Sequence, residues 1–235
     1  VLVFASCDDD GYSLGDFWID IATVENPENS SFFDMKMDNG DLMHVAVSNF
    51  YYYRPKTGQR ILANYTILNK REEGSFYNYD VKLNDAYDVL TKGIFNLTEA
   101  TQDSIGNNAI GIYDMWIGSD YLNVEFYYRG ANRAHYITLA KDDAKQYNDG
   151  KVHLEFRHNS NRDDERYRYY GIASFNLNSL QTSSTSNSID LVIHVKEFDS
   201  EEKTYNLTYN FGEKAPRGKE FNKDIFEQNK NTVEE

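Results

Sequence analysis

The strongest constraint in this chain is a two-residue hydrophobic period that recurs along most of its length. Leu122, Val124, Phe126 and Tyr128 alternate with Asn123, Glu125, Tyr127 and Arg129. Val152, Leu154 and Phe156 alternate with His153, Glu155 and Arg157, and Tyr205, Leu207, Tyr209 and Phe211 alternate with polar residues. Successive side chains of a strand point to opposite faces, so this pattern demands sheets with one buried and one wetter face. The 19 tyrosines and only three prolines suit such sheets, whose faces carry amphipathic rings. The fold class expected is all-β.

Breaks in the period divide the chain. Between Gly15 and Leu97 lie five short strands, with an Asn39-Gly40 hairpin signal and a stretch over 85–92 that suits one or two helical turns. That trace suits a small, partly open OB-like barrel over 15–98, and a plain β-meander would leave the same trace. Residues 99–111 are polar, carry Gly106-Asn107-Asn108 and lack alternation, so they read as a linker. About seven strands over 112–212 read as an antiparallel β-sandwich, followed by a polar tail over 213–235.

The net charge of −14 argues against a nucleic-acid partner, because phosphate binding runs on Lys/Arg neutralisation. A single cysteine allows no intramolecular disulfide, leaving stability to packing. The five histidines show no i, i+4 pair on a helix, so no zinc constellation is expected, and no cofactor. His153 and Glu155 share a strand face but read as surface residues. Asp38-Asn39-Gly40-Asp41 has the oxygens of a calcium loop, yet hairpin chemistry already explains all four. Asp163-Asp164-Glu165 reads as a solvated loop. No nucleophile elbow, P-loop or dinucleotide glycine run occurs, and with 38 acidic residues a carboxylate pair has no specificity for glycoside hydrolysis. The expectation is a protein that is not an enzyme.

Binding candidates are aromatic. Three tyrosines in succession, Tyr51-Tyr52-Tyr53, followed by Arg54, force at least one ring outward and lead into a loop. Such rings suit stacking on sugars or docking on a protein surface. Tyr127-Tyr128-Arg129 and Tyr169-Tyr170 raise the same two readings.

The first 14 residues speak about location. Val1 to Phe4 are apolar, small residues follow, and Cys7 precedes Asp8, Asp9 and Asp10. Phe4-Ala5-Ser6-Cys7 resembles a bacterial lipoprotein box, with Phe4 in the place of the usual leucine. That resemblance implies a signal-peptide remnant, a multiply acylated Cys7 and a tether over 1–14. Each buried acyl methylene contributes about 0.8 kcal/mol, so several chains hold a protein that one chain holds only marginally. The aspartates after Cys7 resemble the surface-export signal of lipoproteins in Gram-negative gut and oral anaerobes. Together these imply a surface-exposed outer-membrane lipoprotein.

Asp8 to Trp18, Gly58-Gln59-Arg60 before Asn64-Tyr65-Thr66-Ile67-Leu68, and Leu90-Thr91-Lys92 before Leu97-Thr98 resemble the NigD-like lipoprotein family. That family implies an N-terminal OB-like domain and a C-terminal β-sandwich, an association with bacteriocin gene clusters, and no catalytic residues. An immunity or accessory role through an unknown protein partner follows; a glycan-binding accessory is the alternative, and a hydrolase the remote one. Asp103-Ser104-Ile105 also resembles a protein O-glycosylation motif, making Ser104 its candidate acceptor.

Overall fold

The computed structural model describes residues 13–27, 32–182, 186–212 and 214. Cys7 and Asp8, Asp9 and Asp10 lie outside the described residues, as does the tail over 213–235 apart from Lys214. The chain divides between Asp88 and Val89 into two units, each with its own core.

In the first unit β1 (Trp18–Glu25), β2 (Asp34–Met37), β3 (Leu42–Ser48), β4 (Arg60–Lys70) and β5 (Tyr79–Asp88) close into a barrel. The order is β1-β2-β3-β5-β4, with β4 returning to pair with β1. Only β3 and β5 run parallel. Closure leaves no unpaired sheet edge. Met35, Met43, Ile61, Val81 and Leu83 fill the interior. Ala22 and Val24 join them, so the inward phase of β1 also carries Trp18 and Asp20.

The β2–β3 hairpin forms as its Asn39-Gly40 centre demands, with Gly40 at φ 83°. Its first residue has a further task. The Asp38 carboxylate accepts two hydrogen bonds from the Arg60 guanidinium, at 2.5 and 2.8 Å. Arg60 also donates to the Thr23 hydroxyl at 3.2 Å and is 1% exposed. Asn39 Oδ1 accepts the Asp41 N–H, and Asn39 Nδ2 donates to the Asp41 carboxylate. One planar fork thus ties the hairpin to β1 and to the first residue of β4.

The second unit is a sandwich of two mixed sheets. Its strands are β6 (Leu90–Gly93), β7 (Phe95–Leu97), β8 (Gly111–Gly118), β9 (Tyr121–Gly130), β10 (Tyr136–Asp142), β11 (Val152–Asn159), β12 (Tyr167–Asn176), β13 (Ser188–Glu197) and β14 (Ser200–Asn210). One sheet runs β14-β13-β11-β10-β7 and the other β6-β12-β9-β8. Antiparallel pairing dominates, but β7 with β10, β6 with β12 and β11 with β13 run parallel. Leu122, Val124, Phe126, Leu154, Phe156 and Phe175 pack between the sheets.

Three expectations are corrected. The 85–92 stretch is strand, continuing β5 into β6, because its residues pair with β4 and β12. Leu90–Leu97 belongs to the sandwich rather than to the barrel, so the barrel stops ten residues early. Residues 99–111 are a strap: α1 (Gln102–Ile105) is followed by Asn108 donating to the His158 carbonyl and Ile110 to the Lys196 carbonyl, at 2.8 and 3.0 Å. Polar composition hides such a strap, whose order comes from backbone pairing.

Breaking the buried fork strands a charge. Asp38→Ala is expected to destabilise the barrel by about 3–5 kcal/mol, whereas Asp38→Leu with Arg60→Met loses much less. Urea unfolding followed by Trp18 fluorescence in a Trp116→Phe background checks both; equal losses would contradict the assignment.

Candidate functional site

The alternation of β3 ends at Ser48, and the chain crosses to β4 through 49–59. Tyr53 turns inward there. Its N–H donates to the Phe50 carbonyl at 3.2 Å, and its ring packs against Phe33 and Phe50. Its hydroxyl donates to Asp88 at 2.6 Å and accepts from Gln59. Burial, together with the Asp88 carboxylate, pushes that hydroxyl far above the usual phenol range. Arg54 folds back to donate to the carbonyls of Tyr51 and Tyr53, at 2.6 and 2.9 Å. Tyr53 and Arg54 therefore hold the loop, and Tyr51 and Tyr52 are displayed, 62% and 95% exposed.

A second displayed ring escaped the sequence reading. Phe76, 74% exposed, belongs to the β4–β5 loop, because β5 starts only at Tyr79. Gly74 at φ 87° was the available signal for a turn there. Tyr77 beside it is anchored, its hydroxyl donating to Asp34, which also meets His44 at 3.1 Å. OB-type barrels commonly bind ligands with this loop and the β2–β3 face.

Four of the five histidines form two pairs that sequence spacing does not show, because strand pairing brings them together. Ile137 lies opposite His158 across β10 and β11, which sets His135 near that ring, and His194 lies opposite Glu155 across β11 and β13. His135 Nδ1 lies 2.7 Å from His158 Nε2, His135 Nε2 lies 3.2 Å from Asp163, and His158 Nδ1 lies 3.0 Å from the Ala109 carbonyl. Burial pushes His158 down to about 4. Burial alone would raise Asp163; the N–H groups of Ala131, Asn132 and Arg133 and the His135 ring instead hold it far below the carboxylate range. Asp163 is thus a buried anchor, not part of a solvated loop: its side chain is 2% exposed. The anchor needs Gly130, where a Cβ would meet the His135 ring at 2.9 Å.

The other pair lies on the five-stranded sheet. His153 Nδ1 is 2.8 Å from His194 Nε2, with Asp149 and Glu202 at the outer nitrogens and Tyr147 stacked on His153 at 3.5 Å. Glu155 is engaged instead by Lys145 and Arg157. Among the described residues no group of three or more His, Cys, Asp or Glu is arranged to hold a metal ion. Ser104 lies exposed in α1, its hydroxyl donating to the Thr101 carbonyl.

Family models place this architecture. The NigD-like N-terminal OB domain matches residues 21–89, and the NigD-like C-terminal beta sandwich domain matches 93–209. The chain belongs to the NigD-like family. A solved protein of unknown function from Bacteroides vulgatus is 31% identical, covering 91% of this chain and 99% of its own, with a TM-score of 0.76. One from Parabacteroides distasonis described as toxin related is 35% identical over 83% of this chain and 94% of its own, TM-score 0.70. A NigD-like immunity protein from Bacteroides caccae, 17% identical over 85% of this chain and 99% of its own, shares the fold at a TM-score of 0.65. No curated protein matches the chain. Among the described residues of this NigD-like protein, no helix is long and apolar enough to cross a membrane.

The two domains should respond to acid with opposite sign. Burial raises Asp20 to about 6, against the Tyr65 hydroxyl that donates to it and helped by the Asp38 charge. The folded barrel therefore binds a proton that the unfolded chain has released, and gains stability as pH falls from 7 towards 5. His158, pushed down to about 4 from 6.5, makes the unfolded chain the better proton binder, so the sandwich loses stability over that same window. Each effect is on the order of 2–3 kcal/mol at full titration. Urea midpoints at pH 7, 6 and 5, read at Trp18 and Trp116 in single-tryptophan variants, should diverge. Asp20→Asn should raise the barrel midpoint at pH 7 and flatten its pH trend; parallel trends in both domains would contradict the two assignments.

Proposed function

We propose that this NigD-like protein is a non-enzymatic, lipid-anchored, surface-exposed envelope protein that binds another macromolecule in an immunity or accessory role. One observation carries the binding reading. Tyr51 and Tyr52 are large rings held out in water by a loop that Tyr53 and Arg54 fix. Exposed aromatic area on a preorganised loop is the composition of an interface centre, and the ordering cost of the loop is already met in the free protein. Cys7 within its lipoprotein-box sequence supports the anchor, and Asp8, Asp9 and Asp10 support export to the cell surface. Family relatives described as an immunity protein and as toxin related support the immunity reading over a catalytic one.

The tests separate anchor from contact. A clickable fatty acid should label the parent and not Cys7→Ala, and protease applied to intact cells should remove the parent. Tyr51→Ala with Tyr52→Ala should lower capture of the partner from intact cells by tenfold or more, about 1.4 kcal/mol, with the unfolding midpoint unchanged. Deleting the gene should sensitise cells to the toxin of the neighbouring cluster, and the double alanine variant should fail to restore protection. Capture or protection unaffected by both alanines would remove the loop from the account. Loss of capture alongside retained binding on a glycan array would favour a saccharide partner.

A further inference from the structure

The four-stranded sheet of the sandwich has a second aromatic surface, on the opposite phase to its core. Leu122, Val124, Phe126 and Tyr128 of β9 face the core or pack against it, so Tyr127 and Arg129 face away. Tyr170 and Arg168 of β12 lie directly opposite them in register. Phe198, in the β13–β14 turn, stacks on Tyr127 at 5.5 Å, and Tyr113 stacks on Tyr170 at 5.4 Å. The Tyr127 ring occupies the space over Gly111, where a Cβ would meet it at 2.1 Å, so glycine is what admits this arrangement.

The arginines give this surface its chemistry. The Arg168 guanidinium lies 4.5 Å from the Tyr127 ring centre and that of Arg129 5.6 Å from the Phe198 centre. Arg168 also donates to the Tyr170 hydroxyl, which is hydrogen-bonded to Tyr113. Like charges directly opposite on one sheet face destabilise it. Yet among the described residues neither guanidinium forms an ion pair, in a chain of net charge −14. Two adjacent, uncompensated forks set among phenol hydroxyls match a ligand with anionic groups that offer paired oxygens, and with abundant hydroxyls.

We propose that Arg129 and Arg168, with Tyr113, Tyr127, Tyr170 and Phe198, form a binding site for an acidic polysaccharide bearing carboxylate or sulfate groups. Six side chains are a small surface beside the roughly 20–30 residues each partner gives to a stable protein interface, and they are enough for a few sugar units. β9 is an interior strand, its backbone engaged on both sides, so no peptide strand can add at this face. A densely charged nucleic acid would meet repulsion from the acidic body beyond these two cations. This site does not depend on Tyr51 or Tyr52.

Affinity electrophoresis of the full chain through gels containing polygalacturonate, heparin, neutral dextran or poly-glutamate tests it. Retardation by polygalacturonate or by heparin is expected, the responding gel identifying the anionic group, with no effect of dextran. The Arg129→Gln, Arg168→Gln double variant, both side chains being exposed, should keep its unfolding midpoint and weaken the retardation at least tenfold. No retardation by either acidic polysaccharide, or equal retardation of the double variant, would overturn the proposal. Equal retardation by poly-glutamate would overturn it in favour of an acidic protein segment.

Discussion

A guanidinium held in a dry barrel by one carboxylate is the contact on which the first domain depends. Arg60 is the first residue of β4 and Asp38 opens the β2–β3 turn, so their fork joins three strands at one point. With a single cysteine, a covalent staple inside the chain is unavailable, and buried charge takes over the positioning of turns. Such a pair adds little net stability over an apolar substitute, because both ions lose their water. Its value is in register: only one alignment of the hairpin against β4 satisfies the fork. That alignment also fixes where β3 ends and β4 begins, and hence the loop that holds out Tyr51 and Tyr52.

The sandwich uses the same physics with different groups. Asp163 collects backbone N–H groups from the turn after β9 and meets the His135 ring, which in turn meets His158. His153 and His194 repeat the arrangement between Asp149 and Glu202, nearer to water. In each case a histidine pair ties neighbouring segments together, the first ending on Asp163 and the Ala109 carbonyl and the second on Asp149 and Glu202. The lipid-anchored binder proposed here needs nothing from these pairs beyond rigidity.

Period-two patterning was enough to reach the all-β class and the two-domain plan, because alternation is a local property of the chain. Phe126 and Tyr127 show the reach of that signal: the faces they take follow from position, while the burial of Asn123 and Glu125 on the Tyr127 phase does not. The histidine pairs were out of its reach, since His153 and His194 meet only through the parallel pairing of β11 with β13. Asp38 and Asp163 look like ordinary turn carboxylates until a distant partner is known. The strap over 99–111 looked like a linker because its order comes from carbonyls of β11 and β13. For the 49–59 loop, counting rings predicted that at least one tyrosine must face water; it could not say that Tyr53 would be the one turned inward, since that choice is made by Asp88, Phe33 and Phe50.

The central claim is that the rings on the 49–59 loop are the point of contact with a macromolecular partner. Photo-crosslinking in living cells, with benzoylphenylalanine placed at Tyr52 and, as a control, at the half-exposed sandwich position Tyr136, tests it at the residue concerned. A discrete adduct from position 52 that is missing from position 136 is the predicted result. No adduct at position 52, or the same adducts from both positions, would contradict it.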